Sequence, residues 1–100
     1  MAILWKKLTP EREADIRAII ETLLPPEDIE KITFDVREDS TADMSIYVDI
    51  WHRLSPREFD PKLLQLSRRA VNQMLVDKDE ERYAYVRHHL AEGQKVKRAA

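Results

Sequence analysis

Two spacings of apolar residues divide this chain into elements. Between Pro10 and Leu24, the residues Ile16, Ile19, Ile20, Leu23 and Leu24 recur at helical intervals and form one stripe. Thr9 is suited to cap the first free N–H groups, Pro10 fits the first helical position, and Glu11 favours the positive end of the dipole. Pro25-Pro26 stops the run, because neither residue donates a backbone hydrogen bond. A helix is predicted over residues 10–24.

From Ile29 to Glu38 the spacing changes to two. Ile32, Phe34 and Val36 share one face; Lys31, Thr33, Asp35 and Arg37 share the other, the pattern of a half-buried strand. Asp39-Ser40-Thr41-Ala42-Asp43 reads as a polar turn. Alternation resumes over Met44–Leu54, with Met44, Ile46, Val48, Ile50 and Leu54 against Ser45, Tyr47, Asp49, Trp51 and Arg53. The two runs predict a β-hairpin. Ser55-Pro56-Arg57-Glu58 has the form of a capping box, and Asp60-Pro61 that of a helix start. A long helix is predicted from Pro61 to about Val76, with Leu63, Leu64, Ser67, Ala70, Val71, Met74 and Leu75 on its apolar side. Lys62, Gln65, Arg68, Arg69, Asn72 and Gln73 lie opposite.

Arg82–Leu90 admits two readings. As a strand it turns Ala84, Val86 and Leu90 inward and Tyr83, Tyr85, Arg87 and His89 outward. As a helix it groups Tyr83, Val86, His89 and Leu90. Tyrosine and valine favour the strand, and a two-stranded hairpin benefits from a third member. The resulting order is α-β-β-α-β: an α+β two-layer sandwich with a three-stranded, mainly antiparallel sheet and two helices on one face. Residues 1–92 are expected to form one domain, and residues 93–100 a flexible basic tail after Gly93.

Composition sharpens this picture. The 100 residues are 43% hydrophobic and 36% charged, which suits one globular core. A single glycine leaves no room for a glycine-rich phosphate loop. There is no cysteine, so disulfides, thiolate metal sites and cysteine nucleophiles are excluded, and a reducing cytoplasm is compatible. A net charge of −2 argues against strong non-specific nucleic-acid binding. In Met1–Leu8 the apolar run precedes the lysines, the reverse of a secretory signal, so a short pairing or packing arm is expected. No stretch reaches the ~20 apolar residues of a membrane helix, and no membrane association is expected.

A two-layer sandwich leaves one sheet face uncovered. On that face the alternation sets Tyr47, Trp51, Tyr83 and Tyr85 among Lys31, Arg37, Arg53, Arg87, His89, Asp35 and Asp49. Exposed aromatic and arginine clusters mark binding surfaces. The candidate partner-binding residues are therefore Tyr47, Trp51, Arg53, Tyr83, Tyr85 and Arg87. A homodimer through the sheet or a protein partner is expected first, single-stranded RNA stacked on the rings second. A third reading is plain structural bracing of cross-strand neighbours.

No catalytic, metal or cofactor site is singled out, and a small enzyme or metal protein using His52, His88 and Asp49 stands as the alternative to a binding module. His88 and His89, adjacent on a strand, point to opposite faces and cannot easily share a metal. His52 and His88 are placed to meet across the inward edge, where partly exposed, satisfied histidines are the ordinary outcome. Asp35 and Asp49 are expected to be paired with Lys31, Arg37 or Arg53. No serine has the flanking glycine of a nucleophile elbow.

Four stretches carry a resemblance: Phe34-Asp35-Val36-Arg37-Glu38-Asp39-Ser40, Ile46-Tyr47-Val48-Asp49-Ile50, Phe59-Asp60-Pro61-Lys62-Leu63-Leu64-Gln65-Leu66-Ser67 and Arg82-Tyr83-Ala84-Tyr85-Val86. Together they resemble a group of small bacterial proteins that look as if encoded beside HEPN-domain proteins, in two-gene cassettes reminiscent of toxin–antitoxin modules. The resemblance covers roughly residues 27–90. It implies an antitoxin-like or accessory protein that binds a helical HEPN partner, and it transfers no catalytic residue.

Overall fold

Thr9 accepts a 3.1 Å hydrogen bond from the Arg12 amide, and helix α1 (Pro10–Leu23) starts there with proline in its first turn. The computed structural model describes residues 7–91. Most of the expected N-terminal arm, and the tail after Gly93, lie outside those residues. Leu8 packs half-buried against the core. After α1, Leu24 turns extended and a single 3-10 turn (Pro26–Asp28) leads into strand β1 (Ile29–Glu38). Strand β2 (Met44–His52), helix α2 (Lys62–Asp77) and strand β3 (Tyr83–His89) follow. The extended reading of residues 82–90 therefore holds.

The sheet order is β1-β2-β3. β1 and β2 pair antiparallel, Phe34 opposite Val48, as the hairpin signal requires. β3 pairs parallel to β2, Tyr85 opposite Tyr47, so the sheet is mixed. A parallel return needs a connection of a dozen residues or more, and the stretch containing α2 supplies it.

One core joins the helices to the inner sheet face. Ile16, Ile20 and Leu24 of the first helical segment meet Ile32, Ile46, Val48, Ile50 and Ala84 of the sheet and Val71 and Leu75 of α2. Phe34 and Val36 on the edge strand are only half-buried, with the Arg17 guanidinium 5.6 Å from the Phe34 ring centre. Leu64, assigned by its spacing to the apolar side of α2, is 48% exposed. Facing the core instead are Ser67, Val71 and Leu75, so the true stripe is narrower than the run of leucines suggests.

Three local devices fix the ends of the elements. Ser55 and Glu58 close a turn rather than a helix: Glu58 Oε1 accepts from the Ser55 amide at 3.0 Å and its hydroxyl at 3.2 Å, and Phe59 is buried behind it. Ala42 (φ 66°) and Asp79 (φ 59°) adopt the left-handed conformation at the hairpin turn and just beyond α2. Glycine is the ordinary choice at such positions, and its scarcity hid both from the sequence. Asn72 of α2 reaches the free edge of β3. Its carboxamide oxygen accepts from the Ala84 amide at 2.8 Å, and its nitrogen donates to the Ala84 carbonyl at 2.9 Å. One side chain thus stands in for a neighbouring strand at the point where an edge invites pairing.

Candidate functional site

The uncovered face is a layer of side chains stacked across the strands. Period two sends Lys31, Thr33, Asp35 and Arg37 of β1 outward beside Ser45, Tyr47, Asp49 and Trp51 of β2 and Tyr83, Tyr85, Arg87 and His89 of β3. Register then decides which of them meet.

At one end, Trp51 stacks on His89 with ring centres 4.0 Å apart and planes 14° from parallel. The Lys31 ammonium lies 4.9 Å from the centre of the Trp51 ring. Four residues along β2, Tyr47 stacks on Tyr85 at 5.2 Å and 19°, and the Arg37 guanidinium sits 4.2 Å from the Tyr47 ring centre. Tyr83 meets Tyr85 edge to face at 5.0 Å. Coplanar neighbours cannot approach to such distances, so these rings stand upright from the sheet with their faces turned to each other. The Tyr85 hydroxyl reaches the Asp39 carboxylate at 3.3 Å, and the Trp51 indole nitrogen is buried within the layer.

Between the two stacks lies Asp49, only 9% exposed. Arg87 grips it with two hydrogen bonds of 2.9 and 2.8 Å, and the His89 Nε2 lies 2.7 Å from the same carboxylate. Burial raises the Asp49 pKa, but the bonds and charges of Arg87 and His89 outweigh it and hold the carboxyl below its ordinary value. The grip of Asp49 in turn raises Arg87. The sequence offers Lys31, Arg37 and Arg53 as partners for Asp49; the actual ones come from β3, because the parallel register brings Arg87 opposite Asp49. Asp35 faces Tyr47 across the hairpin and pairs with Arg37 at 3.7 Å, so the two aspartates do not form a carboxylate pair.

The face ends at the hairpin turn in a polar depression lined by Asp39, Thr41, Ser45, Tyr83 and Tyr85, among others. Asp39 accepts from the Thr41 hydroxyl (2.6 Å) and amide (2.8 Å), from Ser45 (2.8 Å) and from the Tyr85 hydroxyl (3.3 Å). Those bonds, Thr41 first, hold its carboxyl far below the usual range. Partial desolvation and the nearby Asp39 charge raise the Tyr85 phenol.

Of the six residues picked from sequence, Tyr47, Trp51, Tyr83, Tyr85 and Arg87 share this layer. Arg53 does not: it is exposed beyond the end of β2, and its amide bonds the Asp28 carbonyl at 2.8 Å. Asp49 is not among the six, yet it ties the layer together. The available signal was its outward position between Tyr47 and Trp51 on the same strand.

The covered side holds a second polar group. His52 Nε2 lies 2.8 Å from His88 Nδ1, and His88 Nε2 lies 2.8 Å from Ser67 Oγ. Ser67 gives its one proton to the Leu63 carbonyl at 2.6 Å. His88 must then donate from Nε2 and accept at Nδ1 from His52, which leaves His52 Nδ1 a bare lone pair, buried without a partner. Burial lowers both pKa values, that of His88 to about 4. This resembles a nucleophile beside a base, but Ser67 is fully buried and its proton points to a carbonyl. The chain of bonds is therefore structural. Among the described residues no group of three or more histidines and carboxylates is placed to hold a metal. No helix among them is long and apolar enough to cross a membrane.

Comparison of the chain with protein-family models, with curated proteins and with solved structures finds no significant match.

Proposed function

We propose that this protein is a non-enzymatic interaction module that docks a partner protein on its open sheet face. The observation that carries the proposal is the pre-arrangement of that face. Tyr47, Tyr85, Trp51, Arg37 and Arg87 are held by stacking and by Asp49 before any partner arrives. Rigid aromatic and arginine side chains lose little freedom on binding, which is what makes them strong contact residues. An antitoxin-like or accessory role, in which the partner is a helical protein, is the biological setting proposed for it.

Size sets the class of contact. Three strands with ~4.8 Å spacing, each about 25 Å long, offer a patch of roughly 400 Å², or about 800 Å² counted on both sides of a contact. Stable interfaces bury about 1,200–2,000 Å². A contact through this face alone, with a second copy or with a different protein, is therefore of the small, transient class. Base stacking is disfavoured at Tyr47 and Trp51, each of which already stacks on another ring and has a cation over it.

Tyr83 and Tyr85, 44% and 38% exposed, allow a clean test. The Tyr83→Ala/Tyr85→Ala double variant should keep the wild-type melting temperature within a few degrees. It should lose at least tenfold in affinity for a partner captured by the wild type, the loss typical of removing strong contact residues. A partner retained equally by both forms would place the interface elsewhere.

A further inference from the structure

We infer that the free edge of β1 pairs antiparallel with β1 of a second copy, about a two-fold axis at Thr33. This contact uses the rim of the sheet and leaves the open face clear, so it does not depend on the docking role.

Hydrogen-bond parity identifies the open edge. Ala84 of β3 gives its amide and carbonyl to Asn72, so the ladder from β3 to β2 runs through Tyr83, Tyr85 and Arg87. In a parallel pair those residues bond the even-numbered positions of β2. The odd-numbered positions, Tyr47 and Asp49 among them, are then left to bond Asp35 and Thr33 of β1. The amides and carbonyls of Ile32, Phe34 and Val36 therefore point away from β2, along the plane of the sheet. Val36 finds a substitute: its amide donates to Asp35 Oδ1 at 3.0 Å.

Both ends of the open stretch are closed. The register slips between Ile29 and Lys31, and Asp35 caps Val36. What remains runs from Lys31 to Asp35, and its middle residue is Thr33. On the β3 edge Asn72 stands in for a strand; here the groups of Ile32 and Phe34 keep the spacing of a ladder and invite one.

A second copy fits that stretch in one register. With Thr33 opposite Thr33, Ile32 of each copy exchanges amide and carbonyl bonds with Phe34 of the other. On the outer face Lys31 comes opposite Asp35, whose side chain is 63% exposed in the single chain. On the inner face Phe34, half-buried beside Arg17, gains Ile32 of the other copy as a neighbour. Moving the axis to Phe34 sets Lys31 against Arg37, and like charges opposite one another destabilise strand pairs. Moving it to Ile32 sets Phe34 against Glu30. The contact is self-complementary, as a two-fold dimer requires. It is also short, about 17 Å, and falls below the ~1,200 Å² of a stable interface. It therefore forms toward millimolar concentration and dissolves at micromolar. Both open faces lie on the same side of the joined sheet, which doubles the area available to one partner.

The chain has no cysteine, so single thiols report the register. Thr33 and its mate form a non-hydrogen-bonded pair with Cα atoms about 4.5 Å apart, within disulfide reach. Glu38, exposed like Thr33 on the same strand, would lie roughly 34 Å from its mate. Thr33→Cys and Glu38→Cys are each oxidised at millimolar concentration. Thr33→Cys is expected to crosslink at least about tenfold faster, since pairing holds its thiols at a high effective concentration. A second measurement needs no variant. Raising the wild type from micromolar to millimolar is expected to shift the Ile32 and Phe34 amides and slow their exchange with solvent. Equal crosslinking rates overturn pairing through this edge. So do Ile32 and Phe34 amides that neither shift nor slow. Concentration-dependent shifts confined to β2 and β3 transfer self-association to the open face and overturn it as well.

Discussion

At the scale of single residues, two polar groups on opposite sides of one sheet behave in opposite ways. His89 and Asp49 face outward and join a charged cluster; His52 and His88 face inward and form a neutral chain. Both arrangements follow from alternation, which sends His88 and His89 to opposite faces, as their adjacency in the sequence already indicated. What the alternation did not reveal was the partner of each, since that depends on the register of a strand distant in sequence. The neutral chain has a thermodynamic consequence. His88 titrates near 6.5 when unfolded and near 4 when folded, and His52 is lowered too. The unfolded chain therefore binds more protons below pH 6.5, and stability falls as pH drops from there toward 4, whereas above 6.5 these groups contribute no pH dependence. Asp28 from the 3-10 turn favours protonation of His52, His89 opposes it at both rings, and burial dominates. The urea midpoint of the wild type should fall between pH 6.5 and 5, and His88→Leu should flatten that slope. Asp49, and Glu80 beyond α2, where the Arg82 guanidinium donates to its carboxylate at 2.6 Å, have depressed folded pKa values and lose their contribution only as pH falls through the carboxylate range. A His88 imidazole that titrates by NMR at 6.5 or above would contradict the neutral chain.

At the scale of elements, period and capping residues located both helices and all three strands, because a side chain's burial depends on its own face. Strand direction was less legible. Alternation is identical for parallel and antiparallel pairing, so nothing in Arg82–Leu90 itself announced that β3 runs alongside β2 in the same sense. The connection through α2 was the available hint. Asn72 was equally hidden: on the helical wheel it falls on the polar side, and only the placement of β3 reveals its bonds to Ala84. Asn72→Ala should destabilise the fold by about 1–3 kcal/mol, because it leaves a strand amide and carbonyl without their partners. The Ala84 amide should exchange with solvent faster in the variant. Unchanged exchange there would show that the carboxamide contributes nothing to the edge.

At the scale of the whole molecule, two layers enclose one core and leave one decorated face, an architecture the sequence disclosed in outline. The chain has a mass of 11.8 kDa, and sedimentation at micromolar concentration should return the mass of the monomer. A concentration-independent dimer would show that a larger self-contact exists than the open face provides. The order in which the face is assembled has its own consequence. The β1–β2 hairpin brings together Lys31 with Trp51 and Arg37 with Tyr47 through neighbouring residues, but Tyr85, Arg87 and His89 arrive only after the chain has passed through α2. Until then Asp49 lacks its clasp and the rings lie bare on one side. A ligand that requires the finished stacks would ignore nascent or truncated chains, and its capture would register the completion of folding.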